Sequence, residues 1–316
     1  MKKIKFLFLL PLLFFSISGD CANKVKKVEQ NSKVKSASDY YNDVLKAYQD
    51  KKWEELVVIS KEMMSRYGES PFHSEVSYYK GIAYFNLQDF DLSNTCFSNY
   101  LKHETTPKYF EESIEYKYQI AESFCQGARR HLFGMERLPR VLPAKEQALD
   151  IFDEIITALP RHDLTAKSLF KKGSLLCDFN DFKPSTESFQ ILIRRFPKHY
   201  LAPEAYLGIQ EVYLKQSQQE FPDPDVLELA EINLFKFKES FPGDSKIENA
   251  EKMYIDMQDS FAKELFETGF FYERTQKIDA AILYYANVIS QYPRSSFAEK
   301  AKRNMTKLEA QKPKNK

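Results

Sequence analysis

The side chains able to do chemistry are present, but they do not converge. The five histidines, His73, His103, His131, His162 and His199, sit mostly between apolar helical runs, with no partner at metal-ligand spacing and no H-E-x-x-H. Cys96, Cys125 and Cys177 lie far apart inside helical patterns, and none belongs to a C-x-x-C pair, so neither zinc nor a redox couple is implied. There is no G-x-S-x-G, no Walker loop and no G-x-G-x-x-G. Carboxylates are scattered along polar helix faces, where they are solvated charges and not acid–base pairs. The expectation is a chain without catalysis, metal or cofactor. Cys21 has a different setting, directly after a short apolar run near the N-terminus.

The elements that carry these residues follow from composition and periodicity. A chain of 316 residues with 43% hydrophobic and 15% aromatic content is not disordered, and it exceeds what one compact core usually holds. Only 9 glycines argue against a βαβ enzyme or a turn-dense sandwich. A net charge of +1 argues against nucleic acid as the partner. The charge is nevertheless segregated. Residues 1–36 carry eight lysines against Asp20 and Glu29, and residues 301–316 carry six basic residues against Glu309, leaving an acidic body between basic ends.

Lys2, Lys3 and Lys5 precede the apolar run from Phe6 to Phe15, which gives way to Ser16, Ser18 and Gly19. This is the layout of a secretory signal peptide over residues 1–20, because a membrane-spanning helix needs about 20 apolar residues and this run is shorter. Ser18-Gly19-Asp20-Cys21 resembles the lipobox of bacterial lipoproteins, with Ser18 where that pattern has Leu and Asp20 where it has a small residue. The resemblance implies cleavage before Cys21 and its acylation by a fatty acid such as palmitate; ordinary cleavage after Ser18 is the alternative. Residues 21–37 are polar and Lys-rich, as a tether behind a lipid would be.

Self-similarity organises the rest. Leu159-Pro160, Phe196-Pro197, Phe241-Pro242 and Tyr292-Pro293 each close an apolar helical run, and Tyr67-Gly68 stands in the same place earlier. Leu265, Gly269, Tyr272, Ala281, Tyr285, Val288 and Pro293 reproduce the spacing of the tetratricopeptide repeat, and Leu169, Gly173, Leu176, Ser185, Phe189, Leu192 and Pro197 repeat it. The small residue lets two antiparallel helices approach, and the aromatics fill the space beside them. Gly81, Gly173, Gly208 and Gly269 all fall on that crossing position. The fold expected is an all-α tetratricopeptide-repeat superhelical solenoid of about five to six helix pairs. N-terminal units occupy residues 38–162, with a Gly/Pro-rich break at about 126–143, and C-terminal units with a closing helix occupy 163–312. Gly269 is expected to reject a larger side chain, and Gly127, in the break, to accept one.

In such a superhelix the inner face is lined by first helices. In units one and two the candidates are Tyr41, Leu45, Tyr48, Tyr78, Ile82, Phe85 and Asn86. Their rings and hydroxyls suit an extended peptide, and packing between repeats is the other use for them.

An exported array behind a lipobox-like cysteine resembles the BamD-type lipoprotein of the outer-membrane β-barrel assembly machinery. The residues concerned are Gln49-Asp50-Lys51-Lys52-Trp53 leading to Ser65-Arg66-Tyr67, then Ala83-Tyr84-Phe85, Phe133-Gly134 in the broken third unit, and Phe271-Tyr272-Glu273-Arg274. The likeness spans nearly the whole chain but for one surplus unit near Phe221; the family usually has five. It implies a periplasmic scaffold anchored by lipid to the outer membrane. Its C-terminal units would hold a POTRA domain of the barrel subunit, with Arg274 and Tyr284 at the contact. Its N-terminal units would receive the β-signal of unfolded outer-membrane proteins. A periplasmic repeat protein coordinating peptidoglycan synthesis with envelope constriction is the alternative, although such proteins usually bring an N-terminal coiled coil.

Overall fold

The computed structural model describes residues 35–103, 106–220 and 222–311. The signal segment, Cys21, most of the tether and Phe221 lie outside the described residues. Among the described residues thirteen helices pack as six antiparallel pairs and a closing helix. The pairs are α1 (Ala37–Gln49) with α2 (Trp53–Arg66), α3 (His73–Asn86) with α4 (Phe90–His103), and α5 (Phe110–Cys125) with α6 (Lys145–Ala158). They continue with α7 (Asp163–Asp178) and α8 (Phe182–Arg195), α9 (Leu201–Ser217) and α10 (Asp225–Ser240), and α11 (Lys246–Arg274) and α12 (Ile278–Gln291). The closing helix is α13 (Ser296–Gln311), which covers the apolar face of the last pair with Ala301 and Leu308.

The ends of these helices follow from local chemistry. Ser36 opens α1 with a capping box, its Oγ accepting from Asp39 N at 3.2 Å while Asp39 Oδ2 accepts from Ser36 N at 2.9 Å. Helix α1 therefore starts inside the stretch read as tether. Each first helix of units one, two, three, four and six ends in a Schellman turn, with Lys52, Asp89, Ala128, Asp181 and Lys277 donating back to Ala47, Tyr84, Ser123, Leu176 and Tyr272. The left-handed residue of that turn is Lys51, Gln88, Asn180 or Gln276 at φ 56–60°, and in unit three it is Gly127 at φ 103°. Gly127 thus departs from the expected tolerance. No neighbour would obstruct a side chain there, but its backbone lies far from the region an L residue adopts, and that strain costs about 1 kcal/mol or more. The second helices of units one, three, four, five and six end on Tyr67, Leu159, Phe196, Phe241 and Tyr292, whose ψ of 51–63° has left the α region, and Pro follows all of these but Tyr67, which Gly68 follows.

Helix crossings are matched by size. Gly81 faces Phe97, Gly173 faces Phe189, and Gly269 faces Tyr285. The hydroxyls of Ser93 and Ser185 donate to the carbonyls of Gly81 and Gly173 at 2.8 and 2.7 Å, tying each pair at the crossing. Gly208 does not face its own second helix. It closes on Phe189 of the preceding unit, so one ring is held between two glycines.

The break in unit three is not helical. Arg129–His131 (β1) and Arg140–Pro143 (β2) form an antiparallel hairpin around a single 3-10 turn, a small β element that the all-α pattern did not contain.

Candidate protein-interaction surfaces

The side chains proposed as a groove in units one and two prove to be largely occupied with one another. Tyr41 stacks on Phe72 with centroids 4.5 Å apart, and its hydroxyl donates to Glu75 at 2.5 Å. Tyr48 meets Trp53 and Tyr79, and Phe85 meets Phe90 and Tyr116. Tyr78 is only 6% exposed and stacks face to face on Tyr109, so it is a core residue and not a wall of a groove. Burial pushes the Tyr41 and Tyr78 hydroxyls well above the ordinary tyrosine value, which leaves both as neutral hydrogen-bonding groups. Asn86 is exposed, and its Nδ2 donates to Ile82 O at 2.8 Å within its own helix. These contacts serve packing between repeats. The spacing placed the residues on one side of the helices but carried no information on how closely the next helix would sit.

An open inner cavity lies further along, where three successive first helices meet. Tyr118 and Glu122 of α5, Lys167, Phe170 and Lys171 of α7, and Tyr200 with Leu201 at the start of α9 line a space of about 360 Å³. Lys171 pairs with Glu122 at 3.0 Å and Lys167 with Asp163 at 2.6 Å. Tyr200 stands exposed at the rim, its ring tilted against His199, whose Nε2 lies 2.8 Å from Asp163. Together these offer ring faces beside two ammonium groups, a combination suited to the side chains and carboxylates of a peptide. Phe170 holds the same place relative to its helix end as Tyr41 and Tyr78, so extending the inner-face register into unit four would have found it.

A second surface is built by the hairpin. Asp91, nearly buried at the start of α4, accepts from His131 N at 2.9 Å and lies 3.0 Å from His131 Nδ1. Arg140 reaches Asp89 at 2.9 Å and donates to Gln88 O at 2.8 Å, and Lys61 pairs with Glu136. Burial raises the Asp89 carboxyl above the ordinary value, against the pull of Arg140 and His131. So anchored to unit two, the hairpin presents Phe133, 77% exposed and with its backbone at φ 54°, next to exposed Met135. Asp91→Ala is expected to free the hairpin while sparing the solenoid. Trypsin should then cut near Arg137 many times faster, with a melting midpoint shifted by only a few degrees; unchanged cleavage would mean that these bonds do not hold it.

The last unit carries a third surface. Arg274 ends α11, exposed and without an ion pair among the described residues. Phe271, 60% exposed, stands on the same last turn. Tyr284 is half-buried and stacks on Tyr272 with centroids 5.3 Å apart, while Leu283 beside it is exposed. Tyr285 is buried, donates to Glu273 at 2.6 Å and has its hydroxyl pushed up to about 12 by burial and that bond, which marks it as structural.

The cysteines and histidines do not gather. Cys96 is buried and its thiol is pushed up to about 11 by desolvation, far from a reactive thiolate. Among the described residues no group of three or more His, Cys, Asp or Glu is placed to hold a metal ion, and no helix is long and apolar enough to cross a membrane.

A family model described as a tetratricopeptide repeat matches residues 265–295, from the end of α11 to the Tyr292-Pro293 closure. No curated protein matches the chain. Among solved structures the chain is similar to YrrB, a TPR protein with an unusual peptide-binding site, at 12% identity and a TM-score of 0.37, covering 74% of this chain and 98% of that one. A tetratricopeptide repeat protein from Parabacteroides merdae is 11% identical with a TM-score of 0.36, covering 85% of this chain and 98% of its own. The C-terminal part of a TPR repeat-containing protein from Cytophaga hutchinsonii is 12% identical with a TM-score of 0.36, covering 83% of this chain and 98% of its own. The glycine-to-aromatic crossings, the repeated turns and the match at 265–295 together make this chain an all-α solenoid of tetratricopeptide-type helix pairs.

Proposed function

We propose that the protein is a non-enzymatic scaffold of an outer-membrane β-barrel assembly complex, acting at the periplasmic face. The observation that carries this reading is the last unit's exposed surface, where Phe271 and Arg274, a cation without an ion pair among the described residues, share the last turn of α11 and neither is needed to hold the helix pair. An apolar patch with one forked cation suits a docking partner bearing a carboxylate, such as a POTRA domain. The inner cavity at Tyr118, Phe170 and Tyr200 supports the other half of the reading. An extended client β-signal would lay side chains against those rings and a carboxylate toward Lys167 or Lys171. The client site thereby moves from units one and two to units three to five. Attachment through an acylated Cys21 belongs to the same proposal and rests on the sequence alone.

Removing one member of a desolvated interfacial pair commonly costs about 2 to 5 kcal/mol. Arg274→Glu should therefore release the barrel subunit from the tagged protein in solubilised envelopes and lower outer-membrane barrel levels, with circular dichroism and melting unchanged. Wild-type recovery of that subunit with Arg274→Glu would remove Arg274 from the contact. Lys167→Ala with Phe170→Ala should leave that complex intact and weaken crosslinking to a client's terminal strand.

A further inference from the structure

On the side of the solenoid formed by second helices, the crevice between α4 and α6 is filled from within. Lys117 of α5 is fully buried and gives its Nζ to Asn94 Oδ1 at 2.7 Å, Ser98 Oγ at 2.6 Å and Glu154 Oε2 at 2.7 Å. Two alignments locate the corresponding place between α8 and α10. Tyr116 stacks on Phe97 of the preceding unit where Gly208 closes on Phe189, so Ile209 stands for Lys117 and Gln190 for Ser98. Counting back from Leu159-Pro160 and Phe241-Pro242, the buried Ala148, Ile151, Phe152 and Ile155 fall on Ala230, Asn233, Leu234 and Phe237. Lys236 therefore stands where Glu154 does.

The pin is gone and its counter-charge is inverted. Ile209 leaves a crevice of about 270 Å³ walled by Ile193, Leu229 and Ile232, with Gln190, Asn233 and Lys236 at its polar positions. Asn233 is 7% exposed and lines it; its Nδ2 donates to Tyr206 O at 3.0 Å and Gln210 Oε1 at 2.9 Å, while its Oδ1 accepts no hydrogen bond from the described residues. Next to it the Nε2 of fully buried Gln210 has no hydrogen-bond partner among the described residues. A space of about 150 Å³ already admits a benzene-sized group, so this one holds a large apolar side chain. The apolar surface continues outward on α10 through Leu229, Ile232 and Phe235, all exposed. Lys236, and Arg194 one turn beyond Gln190, are exposed cations with no ion pair among the described residues, although the body of the chain is acidic; Glu187 lies one turn before Gln190.

We propose that this crevice in unit five docks an acidic amphipathic helix of a partner protein. The ridge of such a helix fits between two second helices, its apolar side chains entering against Ile209 and Ile232 and its carboxylates meeting Lys236 and Arg194. The proposal does not depend on the assembly reading, whose test lies on unit six.

The probes are two fluorescein-labelled helical peptides of about 18 residues with the same leucine stripe, flanked by Glu in one and by Lys in the other. Anisotropy titration of the purified protein should show saturable binding of the Glu peptide at least about tenfold tighter than the Lys peptide. Ile209→Lys with Lys236→Glu rebuilds the Lys117–Glu154 fill and should abolish binding with an unchanged melting midpoint. Lys236→Glu alone, a change at an exposed position, should remove the preference between the peptides. Equal binding of the two peptides, no saturable binding, or full binding by the double variant would overturn the proposal. Self-association of the wild type that the double variant loses would also overturn it, by giving the crevice to a second copy of the chain.

Discussion

Gly208→Leu is expected to be the most damaging of the glycine enlargements. A Cβ built at Gly208 comes 2.7 Å from Phe189 Cζ, and one built at Gly173 comes 2.8 Å from Phe189 Cε1. The ring is 2% exposed and cannot retreat from one glycine without striking the other. Forcing extra atoms into a packed core costs about 1 to 3 kcal/mol, and here the strain spreads over units four and five together. Gly208→Ala and Gly173→Ala should each lower the urea midpoint, and Phe189→Leu in the same chain should return part of that loss by making room. Gly68→Ala supplies the comparison, since its Cβ would meet only Met64 O at 3.5 Å, an ordinary contact. Equal midpoints for Gly208→Ala and Gly68→Ala would contradict the crossing geometry.

Lys117→Ala should cost about 2 to 4 kcal/mol, because it empties a site wholly enclosed by α4, α5 and α6. Lys117→Met should recover most of this, since an apolar residue of similar volume often replaces a buried ion pair at little cost. The two variants separate cavity from charge. The pH dependence has a definite sign. Burial lowers the Lys117 pKa, against the pull of Glu154, so the folded chain holds this proton less tightly than the unfolded chain does. Between the depressed folded value and the ordinary value of 10.5 the unfolded state binds more protons, and stability from this site rises with pH across that window. Wild type should therefore gain on Lys117→Met as the solution is made alkaline, and a constant difference would mean that the ammonium is better solvated than its burial implies.

Features fixed by neighbours in sequence were legible in sequence. Gly81, Gly173 and Gly269 lie within one helix pair with their aromatic partners, and the helix-closing X–Pro steps are set by a single peptide unit, so spacing revealed them. What depended on distances between units was not legible. Tyr78 and Phe170 have the same helical address, yet Tyr78 is sealed by Tyr109 while Phe170 borders an open cavity, and nothing local distinguishes them. The hairpin's strands are too short for an alternating pattern, and the Asp91–His131 contact that fixes them joins residues far apart in the chain. The Phe189 clamp was half legible. Gly208 was assigned to a crossing, but the helix it crosses belongs to the unit before it.

Arg274 and Cys21 carry the functional proposal from opposite ends of the chain, and both lead to one preparation. The protein, tagged at its C-terminus, is purified from detergent-solubilised envelopes, and its stable partners are identified by mass spectrometry. A POTRA-bearing barrel subunit should be recovered in a fixed ratio, held by wild type and lost by Arg274→Glu. Recovery of peptidoglycan-synthesis proteins in its place, with no barrel subunit bound to wild type, would contradict the functional proposal.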